Sequence, residues 1–123
     1  MRYLTARKRA EAKGASGTGT DHHWHMQISS VGLAFIVPPF IYVFGKALGS
    51  SHENVLETFS RPFPALLTAL VLVFGLQHFR KGAETMIEDY ARGITRKILI
   101  IFLTIFTYGL TATGLYALAK IAL

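Results

Sequence analysis

The sequence predicts an all-α integral membrane protein with three transmembrane helices. Two observations carry this expectation. Of 123 residues, 51% are hydrophobic, and they gather into three blocks of roughly twenty, the length that crosses a hydrocarbon core. Charged residues lie mainly between the blocks, whereas a soluble helical bundle of this length would interrupt each block with polar residues every few positions. The length suits one domain. We divide it into a basic tail with an interfacial entry over 1–27 and an anchor domain over 28–123, with spans at about 28–48, 64–90 and 95–121.

The formal net charge is +6 and the chain contains no cysteine. Missing cysteine excludes disulfides, and any iron–sulfur cluster ligated by cysteines of this chain. A basic chain raises the question of nucleic acid, but here the charge is segregated in a way that membrane topology explains, so the lipid bilayer, not nucleic acid, is the expected partner.

Residues 1–21 carry Arg2, Arg7, Lys8, Arg9 and Lys13, then the stretch GASGTGTD. No apolar run follows these charges closely enough for a secretory signal, so a retained cytoplasmic tail is expected. HHWHMQ follows at 22–27. Three readings stand beside one another: interfacial anchoring by Trp24, contact of His22, His23 or His25 with the polar edge of a cofactor, and a metal site. The last lacks carboxylate or cysteine ligands beyond Asp21.

The first span, about 28–48, contains Pro38-Pro39, which removes backbone donors and predicts a kink packed within a bundle. Residues 49–61 form a loop with a short amphipathic helix from Glu53 to Phe59. Pro62 and Pro64 open the second span, which runs on past the membrane towards Gly93. In the third span Gly109, Thr113 and Ala117 recur at four-residue spacing, which allows close helix approach on that face.

Lysine and arginine counts set the orientation. The tail has five. The segment between spans two and three also has five: Arg80, Lys81, Arg92, Arg96 and Lys97. The first loop has Lys46 and Arg61, and the C-terminal end has Lys120. Three spans put the two basic segments on one side, so the N-terminus is expected inside and the C-terminus outside.

His78 is the one histidine within an apolar block. At about 1.5 Å per residue it lies about 21 Å beyond Pro64, inside a core about 30 Å thick. Intramembrane ionisable residues are uncommon and usually functional. Neutral imidazole ligates haem iron, and Gly75 and Gly82, three residues before and four after, fall near its face and leave room for a flat macrocycle. The alternative is a histidine hydrogen-bonded to a neighbouring helix. Asp89, eleven residues on, shares the His78 face about 16 Å further inward. Tyr90 can donate to a carbonyl oxygen, or the pair can be an aromatic-belt residue beside a solvated helix end.

The stretch H-x-x-x-G-x(4)-I-E-D-Y, formed by His78, Gly82, Ile87, Glu88, Asp89 and Tyr90, resembles the second helix of the smaller hydrophobic anchor subunit of succinate dehydrogenase, the D-type membrane subunit of respiratory complex II. The resemblance covers about residues 20–123 and includes the order of tail, entry, spans and basic inner loop. It implies that His78 is an axial ligand of haem b, whose second histidine comes from the C-type anchor subunit. It implies that Tyr90 hydrogen-bonds a ubiquinone carbonyl with Asp89 beside it. The entry is similar to a family stretch H-W-x-x-Q-R-x-T at His23, Trp24 and Gln27. It departs at Ile28, where arginine is usual, and at Ser30, where threonine is common, which shifts contact with the haem propionates to His22, His23 or His25.

By the same resemblance the chain is a subunit of succinate:ubiquinone oxidoreductase in a bacterial inner membrane, favoured over the mitochondrial one. It docks the flavoprotein and iron–sulfur subunits, and the dicarboxylate site lies on another chain. The rivals are a structural anchor of another membrane complex without haem or quinone, and a small transporter subunit. A reporter fused after Leu123 is expected to be active only on the outer side, and activity on the inner side would refute three spans with an inside N-terminus.

Overall fold

The structure, a computed structural model, describes residues 5–7 and 20–123. The basic and glycine-rich tail expected over 1–21 therefore falls mostly outside the described residues. Over 20–123 four helices follow one another: α1, Asp21–Ala47; α2, His52–Ser60; α3, Pro62–Tyr90; and α4, Gly93–Ala122. Three of them, α1, α3 and α4, are long and apolar enough to cross a membrane. At 27, 29 and 30 residues they are about 40–45 Å long, more than a hydrocarbon core of about 30 Å, an excess that tilt or projecting ends accommodate.

The expected spans are present, with earlier starts. The first helix begins at Asp21 rather than Ile28, so HHWHMQ is its opening turns and not a preceding segment. Its polar side chains reduce hydropathy without interrupting helical backbone bonding. The helix runs through Pro38 and Pro39, whose rings free the carbonyls of Ala34 and Phe35. It closes where the Leu48 N–H meets the Phe44 carbonyl and Gly49 takes φ +79°, a left-handed conformation that glycine adopts without Cβ strain. The Ser50 N–H and hydroxyl both reach the Ala47 carbonyl.

The short helix α2 is capped by Ser51, whose side chain accepts from the Asn54 N–H at 3.3 Å. Its amphipathic face buries Phe59 in a groove shared with Phe40, Phe44, Leu72 and Gly114. The role is architectural. Helix α3 packs against both α1 and α4, while α1 and α4 make no contact with each other. The three spans thus form a row with α3 in the middle, and α2 touches all three, closing the gap at one end.

At the other end only Ala91 and Arg92 separate α3 from α4, and Gly93 at φ +61° opens the new helix. Across this turn Glu88 and Arg96 pair at 2.6 Å. Both are substantially exposed, so the pair contributes about 0–1 kcal/mol and serves to fix the turn's geometry.

The inward seam of α4 is not the expected one. Gly109 and Thr113 are exposed, and so is Ala117. Leu103 and Thr107 are buried, Thr107 completely, and at Gly114 a Cβ would stand 2.9 Å from a Leu72 methyl. Close approach of α3 and α4 therefore uses Gly114 rather than Gly109, because two small-residue registers exist on this helix and only one faces α3. Most large apolar side chains point outward, Phe35 at 77% and Ile105 at 67% exposure among them, as suits surfaces that lipid or further membrane helices cover.

Replacing Gly114 by Leu is expected to push α3 and α4 apart and to cost about 1–3 kcal/mol by overpacking, read as a lower unfolding midpoint in detergent. Gly114→Ala asks only the flexible end of Leu72 to move and should cost less. Equal stability of wild type and Gly114→Leu would refute this seam.

Candidate functional site

His78 lies on the middle helix, about 24 Å from Pro62 and about 18 Å from Tyr90 along α3, and is half-buried against α1. Its Nδ1 is 2.8 Å from the Ser29 hydroxyl, and Ser29 itself is only 6% exposed. The Ser29 hydroxyl also donates to the Met26 carbonyl at 3.0 Å. A serine hydroxyl has one proton and two lone pairs. With the proton on Met26, Ser29 accepts from His78 Nδ1–H. In that arrangement Nδ1 carries the hydrogen and Nε2 keeps its lone pair, the tautomer that suits a ring whose other nitrogen faces a metal.

A second bond repeats this arrangement two turns away. His22 Nε2 lies 3.0 Å from the Thr85 hydroxyl, and Thr85 donates to its own helix at the Lys81 carbonyl. The two bonds are seven residues apart on each helix and run in opposite directions, as antiparallel neighbours require. Between them Met26 lies over Gly82, 3.9 Å from where a Cβ would stand. The inner half of the α1–α3 interface is thus set by two histidine–hydroxyl bonds and one glycine contact. Room beside His78 is open at Gly75, where nothing lies within 4 Å. At Gly82 part of the expected room is taken by Met26.

Next to Ser29 is a groove of about 240 Å³ lined by His25, Phe74, Gln77, Arg80 and Lys81 among others. Its cations are held. Arg80 donates from Nε to Gln77 at 3.2 Å, and its guanidinium lies 5.3 Å from the centre of the Tyr108 ring on α4. Lys81 pairs with Glu84 at 3.2 Å. A half-buried cation near the hydrocarbon is costly without such partners. Of the entry histidines, His25 reaches this groove, His22 is engaged with Thr85, and His23 is exposed. Ile28, at the position where arginine is usual, lines the same groove, and Arg80 and Lys81 on α3 bring positive charge to it.

Trp24, Gln27, Ile28 and Val31 line a separate apolar groove on α1. Among the described residues no three His, Cys, Asp or Glu side chains converge as a metal site, so the histidines of HHWHMQ do not form one with carboxylates.

Asp89 and Tyr90 end α3. Both are exposed, Tyr90 at 88%, and neither side chain has a hydrogen-bond or ion-pair partner among the described residues. Their neighbour Glu88 is the residue that holds the turn. The structure does not bring Tyr90 and His78 together; a full three turns separate them. Sequence inspection did not single out Ser29, Thr85 or Tyr108. The available signal was a spacing: His22 and Ser29 on one helix, His78 and Thr85 on another, each a histidine and a hydroxyl seven residues apart, ordered for antiparallel pairing.

A family model described as "Succinate dehydrogenase/Fumarate reductase transmembrane subunit" matches residues 1–112. The chain is 49% identical over 123 residues to a protein of Paracoccus denitrificans named "Succinate dehydrogenase hydrophobic membrane anchor subunit", covering 100% of this chain and 95% of that one. No solved structure matches it.

Proposed function

The chain belongs to the succinate dehydrogenase/fumarate reductase transmembrane-subunit family, as a membrane anchor of that enzyme, and from this premise we propose that it supplies one axial ligand of haem b and one wall of a ubiquinone site. The observation that carries the haem assignment is the setting of His78: an imidazole within the second span whose Nδ1 lies 2.8 Å from the Ser29 hydroxyl and whose Nε2 has no partner among the described residues. That is the donor set an iron ligand needs. At Gly75, one turn away, nothing stands within 4 Å of a Cβ position, so that part of the helix face is uncovered. His25, Arg80 and Lys81 would hold its carboxylates in the adjoining groove. Bound there, haem b supplies a one-electron redox centre.

The second axial histidine comes, in this reading, from the C-type anchor subunit, which covers part of the apolar surface of the row. The iron–sulfur and flavoprotein subunits dock at the end where α1 begins and α3 finishes. Lysine and arginine bias makes that end cytoplasmic in this reading, in a bacterial inner membrane. The dicarboxylate reaction takes place on another subunit, and this chain's residues orient and polarise the quinone.

Tyr90, exposed at that end, donates its hydroxyl to a quinone carbonyl oxygen and holds it more strongly as negative charge develops there. Asp89 presents a carboxylate beside it. The exposure of both suits a site whose remaining walls come from docked subunits.

Two substitutions test these assignments separately. His78→Leu is expected to lose or rearrange the b-type haem spectrum of the purified complex while the chain still inserts; an unchanged reduced-minus-oxidised spectrum would exclude His78 as ligand. An anchor lacking haem altogether would show no Soret band in the unaltered complex.

Tyr90→Phe keeps the ring and removes the hydroxyl. Loss of a donor to a developing oxyanion costs up to about 3–4 kcal/mol, and loss of a neutral hydrogen bond about 0.5–1.5 kcal/mol. Ubiquinone reduction by succinate should therefore fall at least several-fold, while reduction of a soluble dye upstream of the membrane persists. Retention of both activities at the wild-type level would place Tyr90 in the aromatic belt.

A further inference from the structure

We propose that Ser29 is the positioning residue for His78: by accepting the Nδ1 proton it fixes the tautomer and rotation of the ring and presents Nε2 to iron. This rests on the assignment of His78 as haem ligand and extends it to a side chain on a different helix.

Three observations carry it. The contact is short, 2.8 Å, and Ser29 is 6% exposed, within the first span, so water does not compete for it. The direction of the bond is set by the Ser29 hydroxyl donating to Met26. With that proton on Met26, Ser29 accepts from His78 Nδ1–H. The ring is also held from a helix that does not follow α3 in sequence, which makes its orientation depend on the α1–α3 register. His22–Thr85, two turns away, holds that same register.

An acceptor on the far nitrogen of a metal-bound imidazole raises the ring's basicity and its donation to the metal. Removing it should loosen the haem and, because stronger donation favours the ferric state, move the midpoint potential upward. The outer-shell partners of metal ligands change affinity by about 10- to 100-fold when removed.

The test uses the intact complex carrying Ser29→Ala, Ser29→Thr, Ser29→Val or His78→Leu in this chain. Haem loss to an excess of apo-globin and the haem midpoint potential are measured alongside thermal unfolding. Ser29→Ala is expected to release haem about 10- to 100-fold more readily and to raise the potential, and Ser29→Thr to restore both. Thr and Val have the same shape, so any effect of size on assembly is shared and the hydroxyl alone separates them. Equal haem retention and potential in the Thr and Val variants overturns the assignment. So does a lowered melting temperature in Ala and Val with an unmoved potential, which is the signature of a packing role. If His78→Leu leaves the haem spectrum unchanged, the ligand assignment itself fails; if it disrupts the spectrum while Ser29→Ala matches wild type, only the role of Ser29 fails.

Discussion

The absence of water in the hydrocarbon obliges each polar side chain there to find its partner within protein, and this constraint organises the chain's interior. Ser29, Ser30, Thr68, Thr85, Thr104, Thr107, Thr111 and Thr113 each donate to a backbone carbonyl three or four residues back on their own helix. Such bonding satisfies the donor locally and leaves the oxygen's acceptor capacity. In most of these residues the hydroxyl bonds only within its own helix. In two of them, Ser29 and Thr85, a histidine from the opposite helix uses that capacity. The polar contacts that join α1 to α3 follow from hydroxyls that were already satisfied as donors.

This explains why the two interfaces of α3 differ in character. Against α4 it relies on small-residue packing, with Leu72 over Gly114 and Thr107 fully buried. Dispersion contacts of this kind suffice between membrane helices, where lipid is as apolar as leucine and no hydrophobic force discriminates. Against α1 the inner half is joined by directional bonds, which specify register more sharply than apolar surfaces do. Hydrogen bonds between membrane helices are worth about 0.6 kcal/mol on average, so two of them stabilise modestly. Their larger consequence is geometric, because sliding α1 along α3 by even one residue would break both.

The three spans were legible in the sequence because hydropathy over roughly twenty residues is a strong signal, and the short helix after the first span was legible from its alternation of charged and apolar residues. What stayed hidden was orientation about each helix axis. On α4 nearly every position is apolar, so the registers through Gly109 and through Gly114 look alike, and only packing against α3 distinguishes them. The start of α1 was hidden for the opposite reason: His22, His23 and Gln27 look like surface residues, yet they sit within a helix that already begins at Asp21. At the site, His78, Asp89 and Tyr90 stood out by type and position. Ser29 did not, since a serine in an apolar span is usually explained by local back-bonding, and its second partner is 49 residues away on another helix.

The row arrangement also bears on where redox chemistry can sit. A closed three-helix bundle would enclose the α3 face that carries His78 and leave no room for a large planar group. Here α1 and α4 do not meet, and α2 closes the gap only at the end away from Tyr90. Helix α3 is braced on two sides, and the space beside Gly75 remains open. His78 is therefore placed on the helix with the most neighbours, held by one of them through Nδ1, and left with its other nitrogen unshared. The proposed role of His78 as ligand of a shared prosthetic group asks for both conditions at once: enough packing to hold the ring, and enough open surface for a second subunit to complete the site.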